Sequence, residues 1–273
     1  MRCGVSVPTF GEFADVHVLT ELAVEAERAG WDGFFLWDHV AWPWVDELVD
    51  PWIAMTAVAL STERIRFGPV VTPLSRRRPA KVARETVTLD RLSGGRFTLG
   101  VGSGAFAKEF DDLGEPGTDA RTRAALLDES LRVLTALWSG EKVSFTGTHH
   151  QIRDTRFVPT PVQQPRIPVW VGGQWALPGP LARALNWDGY VPLKAEPVPF
   201  TPAEVAEIAE RLDITSRTGY DLVICGAGGD VAGYVEAGAT WWVDTVPAWD
   251  PSLPAIRERV VAGPPIDRPG SPG

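Results

Sequence analysis

The chain has 273 residues, 44% hydrophobic and 22% charged, ordinary proportions for a globular enzyme with a large core. Its net charge of −9 argues against a nucleic-acid partner, because phosphate binding needs an excess of Lys and Arg. No apolar run approaches the ~20 residues of a membrane helix, and the opening MRCGVSVPTF enters a strand without a signal-peptide pattern, so a cytoplasmic protein with no membrane partner is expected.

The elements alternate from the start. Arg2 to Val7 reads as a strand and Val16 to Ala29 as a helix closed by Gly30, with Leu19, Leu22, Ala23 and Ala26 at helical spacing. Gly33 to Trp37 is a second strand. Asp50 caps a second helix, Pro51 to Leu60, with Pro51 at its first position. Ile65 to Thr72 is β-branched and apolar, stops at Pro73, and is followed by Arg76, Arg77 and Arg78, which read as a solvated face or, with Lys194, as charged anchors for a ligand. Pro79 opens a helix through Leu92, and Arg96 to Val101 returns as a buried strand that ends in Gly102-Ser103-Gly104. Continuous apolar strands around a helix signal a parallel β-α-β unit.

A fourth helix, Arg121 to Trp138, carries Leu126, Leu127, Leu131, Leu134 and Leu137 on one stripe. Val143 to Phe145 and His149 to Ile152 flank Thr146-Gly147-Thr148 and read as a hairpin outside the main sheet. After the connector PTPVQQPRIP come strand five (Val169 to Val171), helix five (Pro180 to Leu185) and strand six (Asp188 to Pro192). Helix six (Pro202 to Arg217, capped by Thr201), strand seven (Leu222 to Cys225) and helix seven (Val231 to Glu236) follow. Strand eight (Thr240 to Asp244) and helix eight (Leu253 to Val261) complete the alternation. Residues 1–263 are expected to form one domain and 264–273 a Pro/Gly-rich tail. Eight units, with no GxGxxG turn after the first strand, predict an α/β fold: a single (β/α)8 TIM barrel with a small β-hairpin insertion before strand five.

In such a barrel the site lies at the carboxyl ends of the strands. Those ends carry Pro8-Thr9-Phe10, Asp38-His39, Thr72, Gly102-Ser103-Gly104, Gly172-Gly173-Gln174, Leu193-Lys194, Gly226 and Asp244-Thr245. Glycine amides can approach a phosphate or a ring closely. Asp38-His39 is the acid-base pair, since histidine moves protons near neutral pH and an adjacent Asp can orient it; Trp42 and Trp44 follow as an aromatic flap. Cys3 and Cys225 read as core thiols, and His149-His150 point to opposite faces of a strand, so no metal site is expected.

Read together, WDHV at Trp37, VTPLSRRRPAKVARETVTLDRLSGGRFTLGVGSG from Val71, KEFDDLG from Lys108, LDESLRVLTALWSGEKVSFTG from Leu127, PVQQPRIPVWVGG ending at Gly173 and WDGYVP from Trp187 resemble the luciferase-like monooxygenase superfamily. The resemblance covers nearly the whole chain. It implies a TIM barrel that binds coenzyme F420 or FMN, with a non-proline cis peptide at Val70-Val71 and Thr72 bonded to the ring. It further implies Gly102, Ser103 and Gly104 along the ring or ribityl chain, and Gly172, Gly173 and Gln174 at the phosphate. His39 and Asp38 would face the reactive edge, and Phe10, Trp42, Trp44 and Ala105 would line the substrate pocket. The expected activity is coenzyme F420-dependent hydride transfer between deazaflavin C5 and a small organic substrate, in a homodimer. An FMN-dependent monooxygenase is the alternative, and a non-catalytic flavin-binding barrel a third reading. Related sugar-phosphate dehydrogenases carry a Glu directly after the glycine run; Ala105 stands there instead, and Glu109 reads as a residue that fixes the loop.

Overall fold

The computed structural model describes residues 1–115, 119–196, 198–247, 249 and 251–265. Its strands and helices alternate as β1 (Arg2–Val7), α1 (Val16–Arg28), β2 (Gly33–Leu36), α2 (Pro51–Ser61), β3 (Arg66–Pro69), β4 (Thr72–Pro73), α3 (Pro79–Leu92) and β5 (Leu99–Gly102). Next come α4 (Ala120–Trp138), the hairpin β6 (Lys142–Thr146) and β7 (Gln151–Arg156), β8 (Val169–Gln174), α5 (Pro178–Ala184) and β9 (Gly189–Leu193). The chain then forms α6 (Pro202–Arg211), β10 (Asp221–Gly226), α7 (Val231–Glu236), β11 (Trp241–Thr245) and α8 (Leu253–Ala262). Helix six is shorter than expected because the chain turns at Asp213, whose φ of 49° is left-handed. From residue 266 onward the expected tail lies outside the described residues.

Among the described residues the main sheet runs β3-β2-β1-β11-β10-β9-β8-β5-β4, every pairing parallel. β3 and β4 are two halves of one strand, broken at Val70-Val71, whose peptide is cis. The ring closes between this strand and the next: Phe67 N donates to Arg96 O at 3.2 Å, and Thr98 N donates to Phe67 O at 2.9 Å. Closure needs Gly68, because a Cβ there would lie 1.8 Å from Thr98 O. The predicted TIM barrel is the observed one, and the antiparallel β6-β7 hairpin sits beside it.

Helix ends are held by their own sequence. Asp15, Asp50 and Asp119 accept hydrogen bonds from the first-turn amides of α1, α2 and α4, and Thr201 and Glu204 form a reciprocal cap on α6. The Glu129 carboxylate of α4 accepts from the Thr148, His149 and His150 amides at 2.6, 2.9 and 3.0 Å, which fastens the hairpin to the barrel. His150 Nε2 lies 3.0 Å from Ser130 Oγ, so this imidazole serves the same attachment.

Inside the barrel Phe35, Trp170, Val191, Val223, Trp241 and Val243 form a packed layer. Trp170 meets Phe35 and Trp241 at ring-centroid distances of 5.3 and 5.4 Å. Below it, at the amino ends of the strands, Asp221 accepts hydrogen bonds from Arg2, from Trp170 Nε1 at 3.1 Å and from Thr240 Oγ1 at 3.1 Å. Burial still raises the pKa of Asp221 above the ordinary range, with Arg2 pulling the other way. Above the layer, Val70 and Cys225 pack on its upper side, toward the carboxyl ends.

The tight contact at Gly68 gives a direct test of closure. Gly68→Ala should lower the unfolding free energy by about 3 kcal/mol, since a backbone carbonyl cannot yield to the added methyl as a side chain would. A urea titration followed by tryptophan fluorescence reads the loss, and a midpoint unchanged from the parent would contradict the closure described here.

Candidate active site

β2 ends at Leu36, and the next three residues, Trp37-Asp38-His39, lead off its carboxyl end. The Asp38 carboxylate does not meet the imidazole beside it in sequence. It is buried and accepts from Thr72 Oγ1, from Trp52 Nε1 at 2.8 Å, from Arg76 Nη2 at 2.9 Å and from Arg77 Nη2 at 2.7 Å. Arg76 Nη2 also donates to the Asp38 carbonyl at 2.8 Å. A single 3-10 turn over Leu74–Arg76 follows Pro73. The Arg76 and Arg77 side chains point inward, and only Arg78 is exposed. The expected solvated arginine face is therefore corrected to a buried counter-charge. Burial pushes the Asp38 carboxyl up, but Arg77, Arg76 and the Thr72 hydroxyl outweigh it and hold the pKa at about 2.

Thr72 belongs to the same cluster. Its hydroxyl donates to Asp38 and accepts from Arg77 Nε at 3.0 Å.

The carboxylate that does meet His39 is Glu109, whose Oε1 lies 3.2 Å from His39 Nδ1. Glu109 is fully buried, accepts from Val40 N at 2.8 Å, and has Arg76 Nη2 at 3.6 Å. Burial raises its pKa, but His39, the Val40 amide and Arg76 together hold it below the usual carboxylate range. The role expected of Asp38, to orient the imidazole, thus belongs to a residue 70 positions along the chain from His39. Its sequence signal is an acid between Phe106 and Phe110 at helical spacing; Phe106 packs on His39 and Phe110 lies against Gly104.

Aromatic rings surround the imidazole edge-on: Trp42 at 4.7 Å, Phe106 at 5.4 Å and Trp37 at 6.4 Å between centroids. Phe10 stacks on Trp42 at 4.4 Å. Trp42 is 3% exposed and Trp44 62%, so Trp42 is the tryptophan that encloses His39.

The glycine runs turn out to receive protein atoms. A Cβ on Gly102 or Gly172 would lie 2.8 Å from a methyl of Val71, and one on Gly173 would lie 2.5 Å from Pro180. Gly104, at φ 81°, makes the turn that brings Phe110 close. Ser103 O accepts from Ser75 Oγ at 2.8 Å, while Gln174 and Ala105 are exposed. The side chains missing at Gly102 and Gly172 make room for the bulge residue Val71.

Val70 faces the other way, into a cavity of 370 Å³ bounded by Ser6, Trp37, Pro192, Cys225 and Thr245 at the ends of five strands. That volume suits a small molecule. Desolvation pushes the Cys225 thiol up to about 12, so it stays neutral. The residues fit a planar redox coenzyme: the floor is apolar and uncharged, and Trp37 supplies an aromatic wall shared with the His39 cluster. His39 itself does not line this cavity, and Trp37 joins the two. A hollow of 420 Å³ lies between α3 and Phe157 to Pro159, and among the described residues its lining includes no barrel strand.

The Asp38 cluster fixes a pH response. A carboxyl with a depressed native pKa stabilises the fold above its unfolded value of 3.8 and loses that contribution as pH falls toward about 2. The loss is on the order of 2 kcal/mol. Asp38→Asn should remove this acid limb and cost about 3–5 kcal/mol at neutral pH by leaving Arg76 and Arg77 without a buried counter-charge. Urea midpoints of both proteins between pH 2 and 7 check it; parallel curves would refute it.

Residues 1–213 match the family model described as luciferase-like monooxygenase. Over 157 residues the chain is 40% identical to an F420-dependent glucose-6-phosphate dehydrogenase of Beutenbergia cavernae, covering 55% of this chain and 44% of that one. An enzyme of the same name from Microbacterium testaceum is 30% identical over 214 residues, 75% of this chain and 61% of its own. The chain thus spans about half the length of the curated relatives it matches. Among solved structures, coenzyme F420-dependent tetrahydromethanopterin reductase from Methanopyrus kandleri superposes with a TM-score of 0.77 at 16% identity, covering 96% of each chain. That likeness concerns the fold. Because the family model takes in β1 through α6, with the bulge, His39 and Glu109 inside it, the protein belongs to the luciferase-like monooxygenase family.

Proposed function

We propose that the protein is a coenzyme F420-dependent oxidoreductase that transfers a hydride between deazaflavin C5 and a small organic substrate. One observation carries this reading: His39 stands at the carboxyl rim with Nδ1 against the buried Glu109, one aromatic ring from a cavity floored by the Val70 bulge. The choice of F420 over FMN is supported by relatives of 30–40% identity that are named for F420.

Val70, with the backbone of Val71, would carry the ring. The backbones of Thr72, Gly102, Ser103 and Gly104, and of Gly172, Gly173 and Gln174, would flank the rest of the coenzyme. Bound there, the coenzyme supplies the hydride acceptor or donor. His39 Nε2 takes the hydroxyl proton of an alcohol being oxidised, or returns one to a carbonyl oxygen being reduced. Glu109, kept ionised, holds Nδ1–H and balances the imidazolium charge. Asp38 acts at a distance, by holding Arg76 in place beside Glu109. Trp42, backed by Phe10, keeps water from His39, while Trp44 and Ala105 lie on the outer rim of the substrate pocket. A homodimer in the cytoplasm completes the proposal. Ile53 and Leu60 leave an apolar face exposed on α2 for a second copy.

Titration of the purified protein with F420 and with FMN tests the cofactor. F420 should bind at least about tenfold tighter; the reverse order would transfer the protein to the flavin branch. His39→Ala should keep F420 affinity within about threefold and lower turnover by roughly 10²-fold or more. Undiminished turnover would remove His39 from the chemistry.

A further inference from the structure

Among the described residues, Lys194 is the only cation that lines the mouth cavity. Its ammonium is already engaged. Nζ lies 2.7 Å from Glu204 Oε2, donates to Pro199 O at 3.0 Å, and sits 4.9 Å from the centre of the Phe200 ring. Glu204 is fixed in turn, because Oε2 also accepts from Thr201 N at 2.7 Å and Thr201 Oγ1 at 3.0 Å in the α6 cap. Among the described residues the other charged group on the cavity is Glu196, an anion. A phosphate entering here would meet one carboxylate directly and would have to draw Lys194 away from another.

The rim differs from an ordinary surface. Leu193, Val198 and Trp249 border the cavity and are 39%, 52% and 58% exposed. They come from the last residue of β9 and from the loops after β9 and β11, and all line one cavity. Scattered apolar residues are common on protein surfaces, but a group of them around a cavity mouth marks a surface that apolar matter covers.

We infer that this site takes an uncharged alcohol or carbonyl compound whose apolar body lies along Leu193, Val198 and Trp249, and that it rejects phosphate esters. The inference rests on the F420 reading for its reaction. In the oxidising direction the carbinol C–H leaves as hydride to the coenzyme, the O–H proton goes to His39, and a ketone is released.

Equilibrium binding of 2-butanone, 2-octanone and glucose 6-phosphate to protein loaded with oxidised F420 tests it, since a ketone cannot react with the oxidised coenzyme. From the free energy of burying methylenes, 2-octanone should bind at least about tenfold tighter than 2-butanone. Trp249→Ala, a change at an exposed side chain, should reduce that ratio to about threefold or less. Glucose 6-phosphate should bind at least about tenfold more weakly than 2-octanone. Three results would overturn the inference: glucose 6-phosphate binding as tightly as 2-octanone, its oxidation with bleaching of the coenzyme, or ketone affinity independent of chain length. Failure of F420 itself to bind appears in the cofactor titration and condemns that reading alone; the same three ligands on the unloaded protein then decide this one.

Discussion

The mouth of this barrel depends on one buried negative charge. Asp38 draws Arg76 and Arg77 beneath the surface, and with them the turn that follows β4. The same carboxylate accepts from Trp52 of α2 and from Thr72 of β4, so a strand end, a helix and the broken third strand share one anchor. Two guanidinium groups without a counter-ion would be expelled from such a place, and a lone carboxylate would become protonated. Neither alternative is open while all the partners are present. Arg76 extends the arrangement to Glu109, and Glu109 extends it to His39. The imidazole is thus held at the end of a chain of charges that begins in the core.

The second constraint is steric. Val71 occupies the space that side chains at Gly102 and Gly172 would need, so three neighbouring strands are fitted to one bulge. Because Val71 turns into the barrel wall, Val70 is left to face the cavity. Apolar floor and polar anchor are consequences of the same break in the third strand. One side of the break supplies Val70, and the other supplies Thr72 to the Asp38 cluster.

Much of the fold was legible because it is written locally. Pro79 to Leu92 was predicted and observed with the same limits, since a proline opens that helix and small residues close it. The rim position of His39 followed from its place after an apolar strand. What could not be read was pairing across long separations. Nothing in SRRR distinguishes an exposed basic run from two arginines folded under the chain, because the difference lies in Asp38, which Arg77 reaches across 39 positions. In the same way, GVGSG and VGG advertise backbone freedom without saying whether a ligand or a valine fills the space. From sequence Glu109 reads as a residue that fixes a loop; its contact with His39 depends on how that loop folds back over the rim.

The two ends of the barrel carry opposite electrical characters. At the top, the Asp38 carboxyl is favoured as an anion, whereas at the bottom burial makes the charge on Asp221 a burden despite Arg2. Acidification therefore relaxes one pole while it undermines the other. A partly unfolded form made in acid would loosen from the carboxyl rim downward, with the tryptophan-lined base of the barrel the last part to let go.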